Sequence, residues 1–204
     1  MKKTKKNFTL VELLCAVGLV VILAGIGFSA YSYASHRGKE AATRSLITRL
    51  EAGLETLKTK HGFYPANATA PTDNDYSLIR IEVNSTTGLI SGITFNDSNP
   101  ASASQLTQIQ LKDFLAVVDG ENLKKYVSNG NLTDAWGGNI RYCYPGAVNT
   151  VKFDIIAPGA DGKFTTSSNT DDPTERPSSP NPTSVLNTYK TNGEWACDDI
   201  ANFK

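Results

Sequence analysis

The sequence predicts an α+β protein: one long N-terminal helix followed by a small antiparallel β-sheet head. Three observations carry this. Residues Leu13 to Ala34 form an uninterrupted uncharged run. Leucines then recur at helical spacing beyond it, with no proline before Pro65. After Pro65 the chain changes to short β-like runs punctuated by Asn, Ser, Asp, Gly and Pro.

The uncharged run is long enough to cross a bilayer as a helix rising about 1.5 Å per residue. Lys2, Lys3, Lys5 and Lys6 precede it, and His36, Arg37, Lys39 and Glu40 follow. The leading lysines place the N-terminus in the cytoplasm and everything after Ser35 outside it. Glu12 is a lone carboxylate at the mouth of the run. A charge inserted there costs about 3 kcal/mol, so it needs a partner or a task.

A secretory signal peptide has a shorter apolar core and a small-x-small cleavage site. Ser32-Tyr33-Ala34 offers such a site, but the run is too long and Glu12 interrupts its start. A lipoprotein signal needs a small residue before Cys15, where Leu14 stands. Asn7-Phe8-Thr9-Leu10-Val11-Glu12-Leu13-Leu14 instead resembles the processing and assembly signal of type IV pilins and pseudopilins. The resemblance implies a leader of residues 1–7, cut by a prepilin peptidase between Asn7 and Phe8, with N-methylation of Phe8. It also gives Glu12 a role in assembly. Asn7 stands where the family usually has Gly, and the helix lacks the midway proline of many pilins.

Residues 8–34 are thus expected to be a transmembrane and filament-core helix, and residues 35–62 its amphipathic continuation. Leu46, Leu50, Gly53/Leu54 and Leu57 share one face, with Arg44, Arg49, Glu51, Glu55 and Lys58 on others. One helix from Thr9 to His61 would be roughly 80 Å long. The first half has no partner within the chain and needs lipid or other copies. The second should pack on the head. Gly62 and Pro65 end it, and a Tyr-Pro at this point resembles the secretion pseudopilins. His61 reads as a solvated helix-end residue.

Residues 63–204 form the head, with apparent insertions at about 66–105 and 164–196. Leu78–Val83 and Leu89–Phe95 read as strands. Asn-x-Ser/Thr sequons occur at Asn67, Asn84, Asn96 and Asn131, for which polar turns are a sufficient explanation. Leu106, Ile109, Phe114, Leu115 and Val118 predict a short amphipathic helix ended by Asp119-Gly120. Ile140–Tyr144 and Val151–Ile156 predict a hairpin around Pro145-Gly146.

Ahead of that hairpin, Thr133-Asp134-Ala135-Trp136-Gly137-Gly138-Asn139 is similar to the Asp-Pro-Trp-Gly-Asn turn of the major, G-type pseudopilin of type II secretion, with Ala135 in place of Pro. A glycine pair makes a tight turn while Trp136 supplies an apolar plug. Ile156-Ala157-Pro158-Gly159-Ala160-Asp161-Gly162-Lys163 resembles that family's calcium loop, and Cys197-Asp198-Asp199-Ile200-Ala201-Asn202-Phe203 resembles its chain ending. The resemblance implies calcium held by Asp161 and the carbonyls of Ile156 and Lys163. Asp171 and Asp172 complete the site, with Asp198 and Asp199 as the alternative acidic pair. Ala157 replaces the family's Ser.

The composition excludes several classes. Lys+Arg and Asp+Glu are both 20, and loss of residues 1–7 removes four lysines, leaving a charge near −4. Nothing in this balance calls for nucleic acid. Two histidines, no phosphate-binding glycine loop and no zinc-spaced cluster argue against an enzyme. Cys15 reads as a small buried hydrophobe. Cys143 and Cys197 lie in the exported part, where a disulfide forms readily; two unpaired thiols are the alternative.

The function implied is a structural subunit that polymerises into a type II secretion pseudopilus. It would be anchored in the bacterial inner membrane with its head in the periplasm, and then extracted into a periplasmic or extracellular filament. Its partners would be other copies, other pseudopilins or pilins, an inner-membrane assembly platform and the prepilin peptidase. The alternatives are a type IV pilin of a surface filament and a monomeric membrane-anchored binding module.

Overall fold

The computed structural model describes residues 9–65, 76–95, 105–146, 149, 151–160, 162, 190–191, 194–195 and 200–202; the side chains of residues 24, 26–29, 190–191 and 194–195 are outside the description. The chain divides into two units, residues 1–38 and 39–204. The fold is α+β, as the sequence predicts.

A single α-helix, α1 (Leu10–His61), runs through both units. It begins at a reciprocal cap. Glu12 Oε2 accepts from the Thr9 backbone N–H at 2.9 Å, and the Glu12 N–H donates to Thr9 Oγ1 at 3.3 Å. These bonds satisfy donors that a helix start otherwise leaves orphaned. It ends at Gly62, whose φ of 83° is a left-handed conformation suited to glycine and whose N–H donates to Lys58 O at 2.9 Å.

In residues 1–38 the described apolar side chains from Leu10 to Leu23 are all exposed. Cys15 is exposed with them, contrary to the expectation of burial, because no described element packs over this stretch. Among the described residues no helix is long and apolar enough to cross a membrane; five side chains of the uncharged run fall outside that description. Near the end of the unit the Arg37 guanidinium lies over the Tyr33 ring, 5.5 Å from its centroid, and donates to its hydroxyl at 3.3 Å.

In residues 39–204 the amphipathic part of α1 buries Leu46, Ile47, Leu50, Leu54 and Leu57. Burial of each such side chain contributes about 1.5–3 kcal/mol before entropic costs. The helix α2 (Gln108–Val118) packs against it at Gly53. There a Cβ would lie 2.6 Å from Val118 Cγ2 and 2.7 Å from the Phe114 ring. Thr107 and Gln110 form a capping box at the start of α2. The buried face of α2 is Leu111, Phe114 and Val118. Ile109, expected on that face, is 72 % exposed: two residues before Leu111, it is turned about 200° around the helix from it. Asp119 ends α2 at φ 64° and leads into α3 (Gly120–Lys124).

Among the described residues the strands form two four-stranded antiparallel sheets and a separate two-stranded hairpin. In chain order they are β1 (Ser77–Leu78), β2 (Arg80–Val83), β3 (Ile90–Thr94), β4 (Val127–Ser128), β5 (Asn131–Leu132), β6 (Arg141–Cys143), β7 (Asp154–Ala157), β8 (Lys190–Thr191), β9 (Glu194–Trp195) and β10 (Ile200–Ala201). One sheet has the order β1-β6-β7-β10 and the other β3-β2-β5-β4; β8 pairs with β9. The run Leu78–Val83 therefore serves both larger sheets, changing over at the buried Ile79. Val151, expected at the head of a strand, is 87 % exposed in the turn before β7.

Ring contacts join the segment that follows α1, strand β6 and α2. Tyr64 meets Phe153 at 5.1 Å, Phe153 stacks on Tyr142 at 5.9 Å, and Tyr142 meets Phe95 at 4.8 Å. Phe95 then meets Phe114 of α2 at 6.2 Å. Such offset and edge contacts add to the burial of the rings. The Tyr142 hydroxyl donates to Pro65 O at 2.7 Å, fixing the Tyr-Pro segment after α1. Burial pushes the Tyr142 hydroxyl well above its usual range.

Candidate functional site

The first place the sequence singled out is the start of α1. Glu12 Oε2 accepts from both the N–H and the hydroxyl of Thr9, each at 2.9 Å. Its backbone position is the third of the helix, where a glutamate closes a capping box. Thr9 was not among the residues selected from sequence, although Thr-x-x-Glu before an apolar run is a recognisable helix start. Asn7 and Phe8, the expected cleavage pair, lie outside the described residues.

The second place is the turn before β6. Asp134 is buried, and its carboxylate organises three backbone donors. Oδ1 accepts from Trp136 N at 2.9 Å and Gly138 N at 2.8 Å, and Oδ2 accepts from Gly159 N at 3.1 Å. A Cβ at Gly138 would lie 2.3 Å from Pro158 Cγ, so the close approach of turn and loop requires glycine. The turn also docks on α1, where Ala135 N donates to the buried Thr43 hydroxyl at 3.2 Å. Trp136 is half-buried and packs against the core, as the plug role predicts. Burial raises the Asp134 carboxyl above its ordinary value, opposed by the N–H groups of Gly138, Trp136, Gly159 and Gly137.

The loop that Asp134 anchors is the one resembling a calcium site. Pro158, Gly159, Ala160 and Gly162 are described, and both glycines have left-handed φ, 72° and 73°. Asp161, Lys163, Asp171, Asp172, Asp198 and Asp199 lie outside the described residues. Ile156 is buried in β7, opposite Arg141 of β6 and Ala201 of β10. Ile155 O accepts from Asn202 N on the β10 side, so alternation turns the Ile156 carbonyl toward β6. Among the described residues no three His, Cys, Asp or Glu side chains cluster to hold an ion.

The tail reaches this loop through its register. Ile200 pairs with Ala157, the residue before Pro158. Asn202 fastens the strand: its Oδ1 accepts from Ile155 N at 2.9 Å and its Nδ2 donates to Phe153 O at 3.1 Å. Sequence reading missed Asn202 because a terminal Asn carries no periodic signal. Cys143 is buried on β6 with its thiol 3.2 Å from Pro145 O. Cys197 lies outside the described residues.

Two polar clusters tie α1 to the head. Lys60 and His61 meet Asp113 of α2 at 2.7 and 3.0 Å, so His61 is a paired residue and not simply a solvated one. Glu55 accepts from Lys152 at 2.8 Å and from the Tyr64 hydroxyl at 2.9 Å. Burial and the Glu55 carboxylate push the Tyr64 hydroxyl up to about 12.

No solved structure matches the chain. The family model for the type II secretion system (T2SS), protein G, matches residues 96–175. That span holds α2, α3, the Asp134 turn and the β6–β7 hairpin. The family is one of structural pseudopilins and not of enzymes. Over these residues the chain is similar to the major pseudopilin, as its turn and loop motifs imply.

Proposed function

We propose that the chain polymerises into the pseudopilus of a type II secretion system and drives protein export across the outer membrane. The match of residues 96–175 to the protein G family carries this reading. The exposed apolar side chains from Leu10 to Leu23 support it, since they leave a large surface for lipid or neighbouring subunits. In this reading residues 8–34 span the inner membrane before assembly, and the head is periplasmic. Cleavage after Asn7 frees a positive amine on Phe8. Stacking subunits then bring that amine to the Glu12 carboxylate of a neighbour, where each charge offsets the other's desolvation. The partners are other copies, other pseudopilins, the assembly platform and the prepilin peptidase. In cells lacking this chain, export through the secretion system should stop and be restored by supplying it. Undiminished export without the chain would remove the proposal.

Within the same reading, calcium binds the loop at Asp161. Calcium takes six to eight oxygens from carboxylates and carbonyls on a flexible loop. The pairing of Ile200 with Ala157 favours Asp198 and Asp199 as the completing pair, because they immediately precede Ile200 in the chain. Asp171 and Asp172 are the other candidates. The carbonyl of Ile156 would reach an ion only with a lone pair left over from the sheet. A Cys143–Cys197 disulfide would staple the tail, with a loop-entropy contribution of roughly 4 kcal/mol. Labelling of both thiols under non-reducing, denaturing conditions would show that the bridge is absent.

A further inference from the structure

Of the four Asn-x-Ser/Thr sequons, two stand on described residues, and they differ in setting. Asn131 is in β5, paired with Ser128 on one side and Arg80 on the other. Asn84 begins the loop that joins β2 to β3, and Glu82, Val83, Asn84, Ser85 and Thr86 are all exposed. It is also the sequon with a carboxylate two residues ahead, at Glu82. Pro65, Thr94 and Asn129 occupy that place before Asn67, Asn96 and Asn131.

The Asn84 side chain is held in a defined pose. Its Oδ1 accepts from Thr86 N at 2.9 Å and Thr87 N at 3.1 Å. With the oxygen turned into the loop, the amide Nδ2 is directed away from those donors. The loop is closed by its own backbone: Asn84 N donates to Leu89 O at 2.9 Å, and Gly88 N to Asn84 O at 2.8 Å. A group added at Nδ2 therefore breaks none of the bonds that shape the loop. The register of β5 meets β2 at Arg80, and Gly130 O accepts from Ile81 N at 2.8 Å, so from Glu82 onward β2 has β3 along one edge and no described strand along the other. An enzyme that grips an extended acceptor can approach along that edge.

We infer that Asn84 is an N-glycosylation site, recognised through the Glu82-Val83-Asn84-Ser85-Thr86 segment on an open hairpin loop. The donor class is an oligosaccharide linked to a polyprenyl diphosphate. Asn84 Nδ2 attacks the anomeric carbon, forming a C–N bond while the bond from that carbon to the diphosphate oxygen breaks. One amide proton passes to a base of the transferase, and polyprenyl diphosphate leaves. The Thr86 hydroxyl supplies the sequon's second contact, and Glu82 adds a charge that a cationic acceptor site can hold. The inference rests on the exported head of the proposed function, because such transferases act outside the cytoplasm.

The test is peptide mass spectrometry of the full-length protein from its own cells, alongside protease accessibility of the head in spheroplasts. The expected result is an accessible head with glycan on Asn84 and none on Asn131. Asn84→Gln should abolish the added mass, and Glu82→Gln should reduce occupancy at least several-fold. An accessible head with bare Asn84 overturns the glycan and leaves the pseudopilin reading standing. A protected, inaccessible head overturns the export on which both depend. Glycan on Asn131 with bare Asn84 also overturns it, since exposure and the Glu82 charge would then select the wrong site.

Discussion

The carboxylate of Asp134 accepts the backbone N–H of Gly159 at 3.1 Å, joining a turn and a loop that lie 25 residues apart. Two of the segments that resemble the protein G family, the turn and the loop, are thus held by one buried side chain. Replacing Asp134 with Asn keeps an acceptor for Trp136 and Gly138 but sets an NH2 group against the Gly159 donor. The expected cost is about 1–3 kcal/mol, and larger for Asp134→Ala, which orphans three donors. The carboxyl is raised in the folded state, so the proton-linked part of stability is fully present below the unfolded value of about 3.9 and is lost as pH rises through the folded one, while the bonds from the three N–H donors persist to the carboxylate. Thermal unfolding of wild type and Asp134→Asn across acidic pH checks both points. Equal melting temperatures at neutral pH would contradict the anchoring role.

Gly53 sets how closely α2 approaches α1. Alanine in a helix interior normally gains about 1 kcal/mol over glycine. Here the added methyl meets Val118 and the buried Phe114 ring at less than 3 Å, and overpacking costs about 1–3 kcal/mol. Gly53→Ala should therefore destabilise. Gly38→Ala, on the same helix with nothing within 4 Å of its Cβ, should stabilise slightly. Chemical denaturation of the two variants decides it, and a gain in both would show that the helix contact is looser than described.

The hydrogen bond from Lys60, and then that from His61, hold the Asp113 carboxyl below its ordinary value. A depressed carboxylate adds stability above its unfolded value of about 3.9 and loses it as pH falls through the lower folded value. Asp113→Asn should therefore flatten the acid limb of the stability profile while changing little of its shape at higher pH. An acid limb identical to wild type would show that the cluster contributes nothing.

These expectations divide by what a linear sequence can carry. The long helix and its buried leucines were legible because Leu46, Leu50, Leu54 and Leu57 repeat with the helical period. The β6–β7 hairpin was legible from its apolar runs and its turn residues. The division of Leu78–Val83 between two sheets was not, since alternation fixes a strand's faces and says nothing of its partners. Asp134 looked like one more turn residue because its role depends on Gly159, and Asn202 was silent for the same reason. Ile109 misled because hydrophobicity alone does not separate the buried face of an eleven-residue helix from its flank.

Calcium should raise the melting temperature if the Asp161 loop binds it, because a ligand held only by the folded state stabilises that state. The register of β10 adds a discriminating expectation. Asp199→Ala should abolish the calcium-dependent shift along with Asp161→Ala, whereas Asp172→Ala should retain it. A shift lost in Asp161→Ala and Asp172→Ala but retained in Asp199→Ala would assign the site to the nearer pair. No shift for wild type in millimolar calcium against chelator would remove the site.

The central claim is that subunits assemble through a processed N-terminus paired with Glu12. Glu12→Gln separates the two roles of this residue: the amide retains an acceptor for Thr9 and so keeps the helix cap, but it carries no charge. The measurement is mass spectrometry of the N-terminal peptide in the filament fraction sheared from cells producing wild type or Glu12→Gln. The account predicts wild-type filaments built of chains that begin at methylated Phe8, and no filaments from Glu12→Gln although its chains are cleaved and inserted. Filaments of Glu12→Gln in normal amount, or chains beginning at Ser35, would contradict it.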